Sequence, residues 1–186
     1  GVLVGSSLLL SLLPWLPPLR RAPVAVVDPG NCNGCGRCFA DCPFSAVTMQ
    51  PRNDGSRHAE IAVVDPALCT ACGICAGACP SSTPFRSIEQ LVSGIDMPAF
   101  PVRDMRSTSR AALEAVQAPL KVLVYGCEHA IDVKAYGGPE VAAVSLPCIG
   151  NLPPAFIEFA LRRERADGVF ITGCNPGDCF FRQGVT

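Results

Sequence analysis

Apolar positions along the chain fall into four regimes. Residues 1–19 are almost continuously apolar, with the first charge at Arg20 and breaks at Pro14, Pro17 and Pro18. From residue 22 to 86 the apolar runs are short. Val26-Val27-Asp28-Pro29 and Val63-Val64-Asp65-Pro66 each read as a strand followed by a turn. Residues 87–118 read as a linker broken by Gly94, Pro98 and Pro101, with one short helix from Ser109 to Gln117. From residue 119 to 186 the pattern changes again. Lys121-Val122-Leu123-Val124-Tyr125, Val141–Leu146 and Gly168–Thr172 are β-branched apolar runs. Runs of this kind predict strands buried on both faces, as in a parallel sheet. Between the last two, Asn151 is the predicted N-cap of a helix with Pro153 and Pro154 in its first turn. Phe156, Ile157, Ala160 and Leu161 supply its buried stripe, and Arg162, Arg163 and Arg165 face the negative end of its dipole. Strand, helix, strand in this order predicts a right-handed crossover between parallel strands.

A membrane-spanning helix needs about 20 apolar residues, and the prolines interrupt residues 1–19 early. A secretory signal would need a basic start, which the sequence lacks. The segment therefore reads as the last turns of a transmembrane helix, with Trp15 at the interface. Arg20 and Arg21 then mark the cytoplasmic side, which predicts a place on the cytoplasmic face of the inner membrane. The alternative is a buried helix or hydrophobic leader of a soluble protein.

The chain has twelve cysteines. Cys32, Cys35, Cys38 and Cys42-Pro43 form one run, and Cys69, Cys72, Cys75 and Cys79-Pro80 repeat its spacing. The valine pairs noted above precede both runs at the same offset, so the duplication is wider than the cysteines. A cubane cluster offers four iron corners, each wanting one soft thiolate. Zinc sites use paired Cys-x2-Cys or Cys/His sets instead. A disulfide framework needs an oxidising compartment, and cysteines this close along the chain are poor partners. Residues 24–86 resemble two-cluster bacterial-type ferredoxins. The resemblance implies that the fourth cysteine of each run crosses to the other cluster. One [4Fe–4S] cluster would then take Cys32, Cys35, Cys38 and Cys79, and the second Cys69, Cys72, Cys75 and Cys42. The second run departs at Ser81-Ser82-Thr83-Pro84, where the first has Phe44-Ser45-Ala46-Val47.

The three later strands end at Gly126-Cys127, Pro147-Cys148 and Gly173-Cys174, and Cys179 follows a short loop. Sites in open parallel sheets form outside the carboxyl ends of the strands. Four thiols delivered to that edge point to a metal or cluster, with zinc, simple packing of buried cysteines and His129 as a substitute ligand weighed as alternatives. Cys148-Ile149-Gly150-Asn151-Leu152-Pro153-Pro154-Ala155-Phe156, Asp167-Gly168-Val169 and Gly173-Cys174-Asn175-Pro176-Gly177-Asp178-Cys179 resemble the hydrogenase iron–sulfur delta-subunit family over residues 120–184. The resemblance implies a [2Fe–2S] cluster on Cys127, Cys148, Cys174 and Cys179. It also implies redox partners of the hydrogenase and heterodisulfide-reductase types. The chain carries Cys127-Glu128-His129-Ala130 where that family tends to have a second nearby cysteine. It also stops at Thr186 where the family continues, which reads as a fragment truncated at both ends.

The formal net charge of −1 leaves no basic surplus for phosphates, so nucleic acid is not an expected partner. Arg103, Arg106 and Arg110 read as a solvated helix face. So many thiols persist as metal ligands most easily in a reducing compartment. No Gly-x-Gly-x-x-Gly follows any expected strand, and no residue reads as a substrate-handling catalyst. The expectation is an α+β ferredoxin-like two-cluster module at 22–86 followed by a small α/β parallel-sheet domain at 119–186, preceded by the end of a transmembrane helix. Its expected role is electron transfer in an oxidoreductase complex. A thiol/disulfide-type reductase using the C-terminal cysteines and a redox sensor are the alternatives.

Overall fold

Each cysteine run ends in a short helix because a glycine turns the chain into it. The computed structural model describes residues 23–175 and 177–181. In it Gly36 (φ 75°) precedes α1, Arg37–Ala40, and Gly73 (φ 80°) precedes α2, Ile74–Ala78. Both glycines are left-handed, a conformation costly for residues with a Cβ. The third cysteine of each run, Cys38 or Cys75, therefore lies in the first helical turn and is buried.

Around these helices lie two small antiparallel sheets. Strand β1 (Val26–Val27) pairs with β4 (Ile95–Asp96), and β2 (Val47–Pro51) pairs with β3 (Glu60–Val64). Ala25, Val47, Ala62, Ala76, Ile95 and Met97 make their common core with Cys38 and Cys75. Strand β4 falls inside the stretch read from sequence as a linker. It closes the sheet begun by β1, so that stretch is tied to the ferredoxin-like half.

The same stretch holds a longer helix than expected, α3, Val102–Ala115. It starts early because the Asp96 carboxylate accepts hydrogen bonds from Met97 N (2.8 Å) and Val102 N (3.1 Å), satisfying a helix-start amide from outside the helix. Asp96→Ala is expected to cost about 1 kcal/mol in urea unfolding, the usual value of such a cap, with Asp96→Asn near wild type. Equal stability of the alanine variant would refute the capping role.

The second half is a three-stranded parallel sheet in the order β6–β5–β7, with β5 Val122–Cys127, β6 Val141–Leu146 and β7 Gly168–Thr172. Helix α4, Ala155–Arg162, precedes β7. Leu123, Tyr125, Ala142, Val144 and Leu146 form one core with Val102, Met105 and Leu113 of α3 and Phe156 and Ala160 of α4. Here the structure corrects the expectation of strands buried on both faces. Both helices share one core, so β6 alternates buried and half-buried, and Phe170 of β7 is exposed. A continuous apolar run is compatible with either arrangement. Tyr125 is fully buried, its hydroxyl 2.8 Å from that of Ser109, and burial pushes the phenol up to about 12.

Other local readings change too. Asn151 does not cap a helix: it ends a 3-10 turn, Ile149–Asn151, and its side chain is buried, while α4 starts four residues later, at Ala155 after Pro154. The buried stripe of α4 is Phe156, Phe159 and Ala160, with Leu161 exposed. The arginines of α3 are not all solvated. Arg106 donates to Arg86 O (2.7 Å) and lies over the Phe159 ring, and Arg110 pairs with Glu164 (2.7 Å). The predicted transmembrane segment, 1–19, lies outside the described residues. Among the described residues no helix is long and apolar enough to cross a membrane.

Candidate metal centres

The two runs fold into two separate cysteine-lined cavities. Cys32, Cys35 and Cys38 line the first, together with Cys79 from the other run. Cys69, Cys72 and Cys75 line the second, together with Cys42. The remaining walls are mainly small or apolar: Met49, Ala62 and Ile95 in the first, Ala25, Val47 and Val64 in the second. A cluster fits this donor set, because four soft sulfurs face a space otherwise poor in polar side chains. Among the described residues no three Cys, His, Asp or Glu side chains converge as they would on one metal ion. Thiols set apart around a shared space suit a group whose irons each take one thiolate.

Electrostatics couples the cysteines mostly within each cavity, although Cys38 of the first also raises Cys75 of the second. Burial pushes the Cys38 thiol up to about 11, helped by Cys79, Cys32 and Cys35. Burial likewise raises Cys72, with Cys42 and Cys69 adding to it, and takes Cys75 to about 12. Cys79 goes the other way. Burial raises it, but hydrogen bonds from Ser81 and Ser93 and from the backbone at Ser81 and Gly94 outweigh that, so its thiolate is favoured. The serine-rich exit of the second run thus has a local purpose: Ser81 Oγ lies 3.0 Å from Cys79 Sγ and accepts from Gly94 N, while Ser82 and Ser93 hydroxyls pair in the interior.

These shifts have a pH consequence. Buried thiols raised above their ordinary value of 9.0 favour the folded chain while protonated. The metal-free chain should keep that stability below about pH 9 and lose it as pH climbs through about 11 to 12. Thermal melts of metal-free protein unchanged from neutrality to pH 11 would rule this out.

Sequence reasoning missed Arg52. Its side chain, 5% exposed, donates to Cys32 O (2.9 Å) and Pro29 O (2.8 Å) and pairs with Asp54, bracing the first cysteine loop from just after β2. The side-chain hydrogen bond from Arg52 holds the Asp54 carboxyl down at about 2. Nothing in the local sequence marks this arginine, since its targets lie 20 and 23 residues upstream.

The parallel sheet delivers its cysteines to one edge. Cys127 ends β5, Cys148 follows β6 and Cys174 follows β7. Cys174 Sγ and Cys127 Sγ are 3.8 Å apart. Two thiolates at roughly 2.3 Å from one tetrahedral metal would be separated by about the same 3.8 Å. Burial pushes Cys148 up to about 11, with Cys127, Cys72 and Cys179 contributing, and Cys174 is raised by burial and by Cys127, with a smaller effect of Cys179. All four C-terminal cysteines are therefore within one electrostatic neighbourhood. His129 stacks on Phe180 (3.9 Å between centroids) and its Nε2 lies 3.7 Å from Glu128.

The Cys72 contribution to Cys148 reveals the join between the halves. Cys72, Cys148 and Phe181 form one buried cluster, with Phe44, Ile74 and Cys179 packed against it. Helix α2 meets the 3-10 turn at backbone distance: a Cβ on Gly77 would strike Gly150 O, and one on Gly150 would lie 2.8 Å from Ile74. The second cavity and the sheet edge thus abut.

Comparison with known proteins divides the chain in the same place. Residues 31–83 match the 4Fe-4S dicluster domain, and residues 122–186 match the delta subunit of methyl-viologen-reducing hydrogenase. The iron-sulfur subunit of the vhc F420-non-reducing hydrogenase of Methanococcus voltae is 46% identical over 46 residues, 25% of this chain and 31% of that protein. The iron-sulfur subunit of the F420-non-reducing hydrogenase of Archaeoglobus profundus is 46% identical over 46 residues, 25% of this chain and 33% of that protein. The chain thus spans about a third of the length of the curated relatives it matches. It joins a 4Fe-4S dicluster domain to a domain of the hydrogenase delta-subunit family.

Proposed function

We propose that this chain is the iron–sulfur electron-transfer subunit of a hydrogenase-type complex. Cys32, Cys35, Cys38 and Cys79 would hold one [4Fe–4S] cluster, Cys69, Cys72, Cys75 and Cys42 a second, and Cys127, Cys148, Cys174 and Cys179 a [2Fe–2S] cluster. Such clusters, when bound, supply one-electron transfer at potentials set by charge, burial and hydrogen bonding. The observation that carries the reading is that Cys72 and Cys148 share one buried cluster, which sets the second cavity against the sheet edge. Cys35 is exposed whereas Cys72 and Cys75 are buried, so the first site would face a docking partner and the second the interior. Three redox positions would then run in order from surface to sheet edge. Apolar walls line both cavities, and a backbone donor, Ala46 N, reaches within 3.3 Å of Cys42 Sγ. A hydrogenase-type donor and a heterodisulfide-reductase-like acceptor complete the reading, with attachment through the N-terminal segment to the cytoplasmic face of a membrane.

Anaerobic reconstitution with iron quantification tests it. About ten irons per chain are expected from two four-iron clusters and one two-iron cluster. About eight irons with four unreacted thiols would remove the third site. The Cys127–Cys174 approach of 3.8 Å also favours a second reading, a thiol/disulfide reductase. Cys174→Ala separates the two: loss of about two irons supports ligation, whereas full iron with lost disulfide reduction supports thiol chemistry.

A further inference from the structure

Where the two halves meet, a cavity of about 290 Å³ lies beside the cysteine-lined ones. Thr70 and Met97 stand in its wall and also in the wall of the second cysteine cavity. His129 lines it too, and lines a neighbouring hollow to which Cys174 contributes. A molecule in this space would adjoin both the second cysteine loop and the sheet edge. No cysteine lines the cavity itself, so it is not another set of cluster ligands. Its walls are largely aromatic, with Phe100, Phe180 and Phe181 beside His129. His129 and Phe180 stack at 3.9 Å between centroids, and Phe181 meets His129 edge-on at 5.5 Å. Asn151 belongs to the same wall, is 1% exposed, and leaves both Nδ2 and Oδ1 without a partner. Unpaired buried atoms cost about 1–3 kcal/mol, so an unmet amide in a cavity wall calls for an occupant with hydrogen-bonding groups of its own.

The walls select the occupant by shape and polarity. Aromatic side chains hold flat rings through offset and edge contacts. A side-chain amide can donate to a carbonyl oxygen and accept from a ring N–H or hydroxyl. At about 290 Å³ the space lies at the small end of ligand pockets, which run from roughly 300 to 1,000 Å³. It therefore suits a ring system and not a whole dinucleotide. Glu128 lines it, but no Lys or Arg does, so a phosphate would meet repulsion there. We propose that this cavity binds a flat conjugated ring bearing carbonyl oxygens, the chemistry shared by quinones and the flavin ring, and holds it beside both the second cysteine loop and the sheet edge.

The test uses the full chain, reconstituted without oxygen and kept oxidised, with lumiflavin, menadione and naphthalene as probes. Ultrafiltration should show saturable binding of lumiflavin or menadione at about one ring per chain. Naphthalene, which has no carbonyl, should bind about tenfold more weakly or worse. Whichever carbonyl ring binds more tightly identifies the source, flavin or quinone. Ala99→Trp, at an exposed position of the wall, should fill the space and remove that binding without loss of iron. Asn151→Leu should weaken the carbonyl ring about tenfold and leave naphthalene where it was. Failure of both carbonyl rings to bind would mean a cavity holding water alone and would overturn the proposal, as would binding that survives Ala99→Trp. The cluster reading can fail separately: a chain short of iron that still binds the ring keeps this site and counts against the clusters, whereas an iron-loaded chain that binds no ring counts against this site.

Discussion

Cys79→Ala is expected to abolish the first cluster and leave the second, although Cys79 belongs to the second run. The cavity walls dictate this: Cys79 faces Cys32, Cys35 and Cys38, while Cys42 faces Cys69, Cys72 and Cys75. Iron should fall by about four per chain, or by one iron if a three-iron remnant persists on three thiolates. The surviving intact EPR signal should be the one that Cys75→Ala removes. Cys42→Ala should give the mirror result. If Cys79→Ala instead removed the signal that Cys75→Ala removes, the ligands would not cross. Cys79 is also the cysteine whose thiolate the fold favours through Ser81 and Ser93, so Ser81→Ala should slow loading of the first site alone.

Gly77→Leu should separate the two halves. Alanine alone would be ambiguous. Its better helix propensity is worth about 1 kcal/mol, against an overpacking cost of about 1–3 kcal/mol. Leucine adds bulk that cannot be accommodated, because even a Cβ would strike the Gly150 carbonyl, and backbone cannot rotate aside as a side chain can. A loss of about 3 kcal/mol or more is expected, together with slower electron exchange between the second site and the C-terminal cysteines after flash reduction. The four-iron sites should still load, since Gly77 lines neither cavity. A variant with wild-type melting temperature and exchange rate would show that the glycine contact does not hold the halves together.

The cysteine loops were legible from sequence because their geometry is local. Three thiols at fixed short spacing, with Gly36 or Gly73 after the second, turn into a helix under the conformational preference of glycine alone. The strand ends carrying Cys127, Cys148 and Cys174 were legible for the same reason, being apolar runs stopped by Gly-Cys or Pro-Cys. Asn151 was not. A small polar residue shortly before Pro153 and Pro154 has the composition of a helix cap, and only its place against Gly73 shows otherwise. The linker reading failed at Ile95–Asp96 because two residues carry no periodicity, and their strand exists only by pairing with Val26–Val27.

What the sequence by itself determined is the number of cysteine runs, their spacing and the parallel strands that carry the later thiols. These depend on residues within a few positions of one another. Only the tertiary structure decided that both helices pack into one core with the sheet, that Arg52 braces the Cys32 loop, and that Cys72 and Cys148 share a buried cluster. Those contacts join segments from 20 to 76 residues apart, and they follow from which surfaces can approach closely, a property of the packed backbone that no local pattern encodes.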